Sequence, residues 1–394
     1  MKTITVLLGF VAGAAACAAQ AGVADGPTRA RVEQAVDAAV RPLMDSQKVP
    51  GMAVAVTVDG KRYFFNYGVA SKESRRQVSE HTIFEIGSVS KTFTATLGAH
   101  ALARGALSLS DPASKWLPEL AGSAFDGISL LELGTYTAGG LPLQFPESVR
   151  DDADMVEWFR AWRPSYPPGT QRRYSNPSIG LFGYLAAKSL GRPFDELMEK
   201  TLFPAFGLTR SYIRVPPERM GDYAQGYTRD DKPVRVNPGI RDAEAYGVKT
   251  TAADMVGYIE AHMQPAALEP KMRQATVTTR TGYFRVGGMT QGLGWEMYHY
   301  PVSLETLLAG NANQMALEPN AATRLTPPQP PEPAMLFNKT GSTNGFGAYV
   351  LFVPARQIGI VMLANRNYPN AERVKAAFRI LDALDGKQAA GGSR

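Results

Sequence analysis

"FGAYVLFVPARQIGIVMLAN", Phe346 to Asn365, is two strand-like apolar runs flanking a turn at Pro354-Ala355-Arg356. Near the other end of the chain, "MAVAVTVDGKRYFFNYGVAS", Met52 to Ser71, has the same form. Val54, Val56 and Val58 alternate, Asp59-Gly60 supplies a hairpin turn, and Tyr63 and Phe65 alternate after it. Each pair of runs has a helix beside it. "VEQAVDAAVRPLM" puts Val32, Val36, Val40 and Leu43/Met44 at helical spacing, and the chain closes on "NAERVKAAFRILDAL", with Asn370 as the N-cap after Pro369. Between them, from Ala101 to Lys271, helices and long loops dominate. The expected fold class is α/β of the α+β kind: one antiparallel sheet from both termini, flanked by helices, with an inserted all-helical region. The expected boundaries are 22–100 plus 272–394 for the α/β region and 101–271 for the mainly helical one. An active site belongs in the cleft between them.

A chain of 394 residues, 44% hydrophobic and 20% charged, is long and apolar enough to bury a sizeable core in one large or two intimate domains. The Pro-rich "LTPPQPPEPAM", Leu325 to Met335, reads as a surface loop. Residues 1–21 read as a signal peptide: Lys2 gives the positive start, Ile4 to Ala16 is apolar, and Ala19-Gln20-Ala21 is a small-x-small cleavage site. That apolar stretch is too short to span a bilayer stably, and no other segment reaches the length. A lipid-modified Cys17 would call for a large aliphatic three positions upstream, where Ala14 stands. Cys17 is the only cysteine, so cleavage leaves no disulfide, no thiol nucleophile and no thiolate metal site. Loss of Lys2 lowers the formal charge from +6 to +5. That mild, dispersed excess favours anionic substrates or an anionic cell-wall surface and is no nucleic-acid footprint.

The residues narrow the chemistry by elimination. The four histidines, His81, His100, His262 and His299, fall at no metal-ligand spacing, and no H-E-x-x-H occurs. Their plain reading is packing or surface. The same scarcity weakens a Ser-His-Asp triad, and there is no G-x-S-x-G elbow. Serine chemistry without histidine remains, with Lys or Tyr as the base. Ser88-Val89-Ser90-Lys91, in "EIGSVSKTFTA", offers it: residues three apart share a helix face, and Phe93, Leu97 and Ala101 continue an apolar stripe that holds an amphipathic helix on the core. The helix N-terminus also favours negative charge developing at the serine. Chance alone supplies an S-x-x-K on the order of once in a chain of this composition. Two further motifs change the weight. Tyr174-Ser175-Asn176 sits on a loop entering a helix that Pro177 suits, although a capping Asn beside a half-buried Tyr is the plain alternative. Lys339-Thr340-Gly341 lies on a strand running into a glycine-rich bend, where the backbone can approach a ligand closely; a protected edge strand is the plain alternative.

With all three in this order, the chain resembles the serine penicillin-recognising enzymes, and among them the class C serine β-lactamases (cephalosporinases). The likeness spans essentially the whole mature chain. "TYTAGGLPLQ" (135–144), "DAEAYGVK" (242–249), "QGLGWEMY" (291–298) and "IVMLANRNYPN" (360–370) look like blocks of that family and are far more specific than S-x-x-K.

The resemblance implies the β-lactamase/D,D-peptidase fold and hydrolysis of the β-lactam amide through an acyl-enzyme on Ser88. Lys91 and Tyr174 are the candidate bases, and the choice between them stays open. It implies oxyanion donors in the N–H groups of Ser88 and Ser342. Gln144 and Asn176 match positions that hold the substrate's acylamino side chain, with Tyr246 as an aromatic wall. Lys339, Thr340 and Asn370 match positions that face its carboxylate, beside Gly341. Glu296 matches a supporting position. Two departures stand out: Asn338 where some relatives have histidine, and Asn344 where others have glycine. The loop from Asn311 to Pro328 could tune which cephalosporins fit. A periplasmic monomer is expected, acting on a small-molecule β-lactam, with no cofactor, no metal, no nucleic acid and no membrane contact after signal cleavage. The rival readings are a D,D-peptidase or an esterase of the same superfamily, and a penicillin-binding sensor that acylates without turnover.

Overall fold

A computed structural model describes residues 26–386, so the expected signal peptide lies outside the described residues. The elements that position the site are helix α1 (Gly26–Gln47), strands β1 (Gly51–Val58) and β2 (Lys61–Gly68), and helices α2 (Ser90–Ala103), α3 (Asn176–Ser189), α4 (Ala252–Met263) and α5 (Pro270–Thr279). Then follow strands β3 (Gly282–Val286), β4 (Met289–Gln291), β5 (Glu296–His299), β6 (Thr323–Gln329), β7 (Met335–Ser342), β8 (Gly347–Val353) and β9 (Ile358–Ala364), and helix α6 (Asn370–Asp385).

The nine strands form one antiparallel sheet in the order β6-β3-β4-β5-β7-β8-β9-β1-β2. The N-terminal and C-terminal parts of the chain meet one strand in from the β2 edge, where β1 pairs with β9, Val54 opposite Met362. The β1–β2 hairpin turns through Asp59 and Gly60 at φ 50° and 76°, the pair of positive values that a two-residue turn matching the strand twist requires. Period-2 alternation sends Met52, Val54 and Val56 to one face and Ala53 and Ala55 to the other. Val36 and Val40 of α1 and Val374 and Ile380 of α6 cover the first face. Phe93 and Leu97 of α2 with Met255 and Ile259 of α4 cover the second. Covered on both sides, β1, β8 and β9 are buried along their whole length.

A third cluster, including Leu117, Phe125, Leu133, Phe159, Ile179 and Leu185, is the core of the helical region. Helix α4 falls within the numbers of that region but packs directly on β1 and β9.

Three local expectations are corrected. Helix α2 has no solvent face: every residue in it except Leu102 is buried. Its polar residues are tolerated because Thr92, Thr94 and Thr96 give their hydroxyl protons to the carbonyls of Val89, Glu244 and Thr92. The Pro-rich stretch is partly strand, since Leu325 to Gln329 belong to β6. It lies at the sheet edge with a shifted register, the place where proline costs no ladder bond. Asn370 is the first residue of α6; its N-cap is Pro369, and no side chain caps that end.

Candidate active site

Helix α2 packs against α3, α5 and the short helix Asp242–Tyr246, so its N-terminus opens where sheet and helical region meet. Ser88 sits just ahead of it, in the 3-10 turn Gly87–Val89. Two glycines let the end of β7 lie backbone-to-backbone on that turn. A Cβ on Gly341 would fall 2.0 Å from the Ile86 carbonyl oxygen and 3.0 Å from Ser88 N. One on Gly87, which has φ +51°, would fall 2.4 Å from Ser342 N. The main-chain nitrogens of Ser88 and Ser342 are thereby neighbours.

Lys91, one turn along, is fully buried. Its Nζ lies 2.9 Å from Ser88 Oγ and 2.7 Å from the Ala245 carbonyl oxygen. Burial pulls this amine below its ordinary pKa, partly countered by Tyr174. The Tyr174 hydroxyl is buried beside the Ser88 and Lys91 side chains, both of which favour its anion. Lys91 Nζ and Lys339 Nζ stand 4.9 and 5.0 Å from its ring centroid. Burial pushes the phenol up, but the two ammonium groups, Lys339 ahead of Lys91, outweigh it and hold the group below its usual value.

Behind this lies a buried charge cluster that the motifs did not reveal. Glu296 Oε1 is 2.8 Å from Arg172 Nη2 and 3.5 Å from Lys339 Nζ. Arg172 also donates to Gln291 Oε1 and the Met315 carbonyl, and its guanidinium stacks near Tyr136 and Tyr174. Three cations thus face one carboxylate around the phenol, a surplus that favours an anion in the space between them. Asn338, behind Lys339, donates to the Glu296 carbonyl and accepts from Tyr349 and Asn311. Arg373 of α6 is also fully buried. It donates to the carbonyls of Gly341, Ala348 and Tyr368 and to Ser342 Oγ and Asn367 Oδ1, tying the end of β7 to the helix. The one local hint for Arg172 is its place two residues before Tyr174. Arg373 had none, since nothing local marks an arginine for full burial.

Ser88, Tyr174, Lys339, Thr340, Gly341, Ser342 and Asn370 line one cavity of about 130 Å³, with Arg172, Glu296 and the segment Gly310–Ala316. Gln144, Asn176 and Tyr246 do not line it but lie beside it. Asn176 N donates to the Leu143 carbonyl, which brings the exposed Gln144 next to Asn176. Asn176 Oδ1 is buried without a partner, a free acceptor. Tyr246, half-buried, follows directly on Ala245, the residue that binds Lys91.

The beta-lactamase family matches the chain over residues 36–385. A beta-lactamase of Pseudomonas fluorescens is 58% identical over 90% of this chain and 99% of its own length. The solved structure of a class C beta-lactamase in complex with cefoxitin superposes with a TM-score of 0.88 at 48% identity, covering 90% of this chain and 99% of that one. The D-alanine carboxypeptidase AmpC of Burkholderia cenocepacia superposes at 0.86 with 52% identity, covering 89% of this chain and 99% of that one.

Proposed function

The chain belongs to the beta-lactamase family, and we propose that it opens the β-lactam ring through an acyl-enzyme on Ser88. The observation that carries this reading is the 2.9 Å contact between Ser88 Oγ and the buried Lys91 amine. Lys91 Nζ has three polar neighbours: the Ser88 hydroxyl, the Ala245 carbonyl and the Tyr174 phenol. Burial favours the neutral amine, which can give one N–H to the Ala245 carbonyl and one to the Tyr174 oxygen and turn its lone pair toward the Ser88 hydroxyl. Lys91 therefore takes the first proton. Ser88 Oγ attacks the ring carbonyl, and the oxyanion develops against the neighbouring N–H groups of Ser88 and Ser342. The carbonyl–nitrogen bond breaks, and the ring nitrogen receives its proton from Tyr174, leaving a phenolate between the Lys91 and Lys339 ammonium groups. Water then adds to the ester carbonyl with the Tyr174 phenolate as the base; collapse breaks the ester C–O bond, frees the acid and returns the Lys91 proton to Ser88 Oγ.

The surplus positive charge of Lys339 and Arg172 suits the carboxylate that β-lactams carry, with Thr340 and Asn370 at the same wall. The free Asn176 acceptor suits an acylamino N–H, with Gln144 and Tyr246 flanking that side chain. A preference for cephalosporins follows from the class C likeness. The protein works in the periplasm as a monomer: residues 1–21 carry an export pattern, and no described helix is long and apolar enough to cross a membrane.

A second reading has one specific support, the 52% identity to a D-alanine carboxypeptidase. The same acylation would there release D-alanine from a peptide. Steady-state turnover of nitrocefin, a D-Ala-D-Ala peptide and a short-chain ester by the mature chain separates the cases. Fast nitrocefin turnover with slow peptide cleavage is expected. Acylation by nitrocefin without release, alongside rapid peptide cleavage, would overturn the lactamase reading.

A further inference from the structure

A second cavity is larger than the one beside Ser88. It is a space of about 940 Å³ on the far side of the short helix Asp242–Tyr246, walled by α3, the segment Gly191–Asp195 and the residues around Ile213 and Ile240. That is at the upper end of the roughly 300–1,000 Å³ of small-molecule sites. Its walls are apolar at Tyr184, Phe194, Ile213 and Ile240. Its charged lining is five lysines and arginines against three carboxylates.

The cations are incompletely neutralised. Lys188 has no carboxylate partner among the described residues and rests on the Tyr184 ring at 5.4 Å. Arg214 reaches Asp195 only at 3.5 Å. Arg192 pairs with Glu196 at the exposed rim, where screening weakens the pair. Arg241 stacks on Tyr184 at 4.1 Å and is paired with Asp152 and Glu244, although its Nε is buried without a partner, so the unmatched charge is chiefly that of Lys188 and Arg214. A bare inorganic anion would leave the aromatic and aliphatic walls uncovered, and a neutral apolar molecule would leave the cations unmatched. An organic anion with one flat apolar body satisfies both.

The wall of this cavity is also the support of the candidate catalytic lysine. Asp242, Ala243 and Glu244 of the short helix line it, and the next residue, Ala245, takes the Lys91 hydrogen bond at 2.7 Å. The Glu244 carbonyl accepts from Thr94 of α2 at 2.6 Å. Arg241, which begins the helix, is held in the left-handed conformation at φ 56°, a strained starting point for a residue with a side chain. Moving the helix outward or inward moves the Ala245 carbonyl against Lys91.

We propose that this cavity is a second binding site, for small amphipathic organic anions, and that its occupation slows turnover at Ser88 by shifting the Ala245 carbonyl against Lys91. Binding stands apart from the catalytic reading; the slowing rests on it. The test uses the mature chain and 8-anilinonaphthalene-1-sulfonate, followed by fluorescence. Expected are saturable binding that persists after cefoxitin has acylated Ser88, and a fall in nitrocefin kcat without a rise in KM. The double variant Lys188→Glu/Arg192→Glu, confined to exposed side chains, should keep its basal turnover, weaken the dye by about tenfold or more and abolish the inhibition. Displacement of the dye by acylation, or equal binding by the double variant, overturns the site. Binding that leaves kcat unchanged overturns the coupling. Were nitrocefin not hydrolysed at all, the catalytic reading would fail while the dye titration still read the site.

Discussion

Lys91 Nζ, fully buried, lies 2.9 Å from Ser88 Oγ and 2.7 Å from the Ala245 carbonyl oxygen. Lys91→Ala should therefore cut the acylation rate by about 10²–10⁴-fold, the range expected for a positioned general base. Lys91→Arg should not restore it, because a guanidinium keeps its proton. Tyr174→Phe should instead acylate and then stall, so that the covalent adduct accumulates. Stopped-flow nitrocefin kinetics with quenched-flow mass analysis reads both steps. Normal acylation in Lys91→Ala would move the first proton to Tyr174.

Gly341→Ala tests the close approach of β7 to the Ser88 turn. The added Cβ would lie 2.0 Å from the Ile86 carbonyl oxygen, so strand and turn must part. A separation of the Ser88 and Ser342 nitrogens should cost about 10²–10³ in kcat, the order expected for losing one oxyanion donor. Far-ultraviolet circular dichroism should be unchanged. Full activity in this variant would exclude those two nitrogens as the oxyanion site.

Arg373→Met tests the buried clamp beneath the same strand. It removes a cation that serves five acceptors, three of them main-chain carbonyls, and leaves them unpaired in the interior. A loss of about 3–5 kcal/mol in urea unfolding is expected. Arg373→Lys should recover only part of it, since an ammonium cannot span the fork of acceptors.

Glu244 gives the chain a pH signature. Burial pushes its carboxyl from 4.5 up to about 7, against the pull of Arg241. A group raised above its unfolded value stabilises the fold fully below about 4.5, and that contribution is lost as the pH rises through about 7. The expected loss is roughly 3 kcal/mol across that window. Glu244→Gln should flatten the stability profile between pH 4.5 and 8. A profile as steep as that of the wild type would assign the slope to another group.

Much of this architecture is written locally. The alternation from Met52 to Phe65 around Asp59-Gly60, and its counterpart from Gly347 to Ala364, are short-range patterns, and strands buried on both faces have few other ways to pair. Helix α2 was harder. Its threonines resemble a solvent face, and only the carbonyls of Val89 and Glu244, one of them 150 residues away, make their burial tolerable. The strand in the Pro-rich stretch is legible only once β6 is known to be an edge. At the site, Ser88, Lys91, Tyr174 and Lys339 each stand in a short motif. Arg172 and Arg373 do not, because what holds them is tertiary: Glu296 and Gln291 for one, the β7 carbonyls for the other. The large cavity behind Asp242–Tyr246 likewise arises from segments that only the fold brings together.

The most direct measurement is intact-protein and peptide mass spectrometry of the mature chain mixed with cefoxitin, beside the Ser88→Ala variant. The account predicts one β-lactam adduct on the peptide carrying Ser88, decaying as free enzyme is regenerated, and neither adduct nor hydrolysis in Ser88→Ala. Hydrolysis that survives in Ser88→Ala, or an adduct on any other residue, would contradict it.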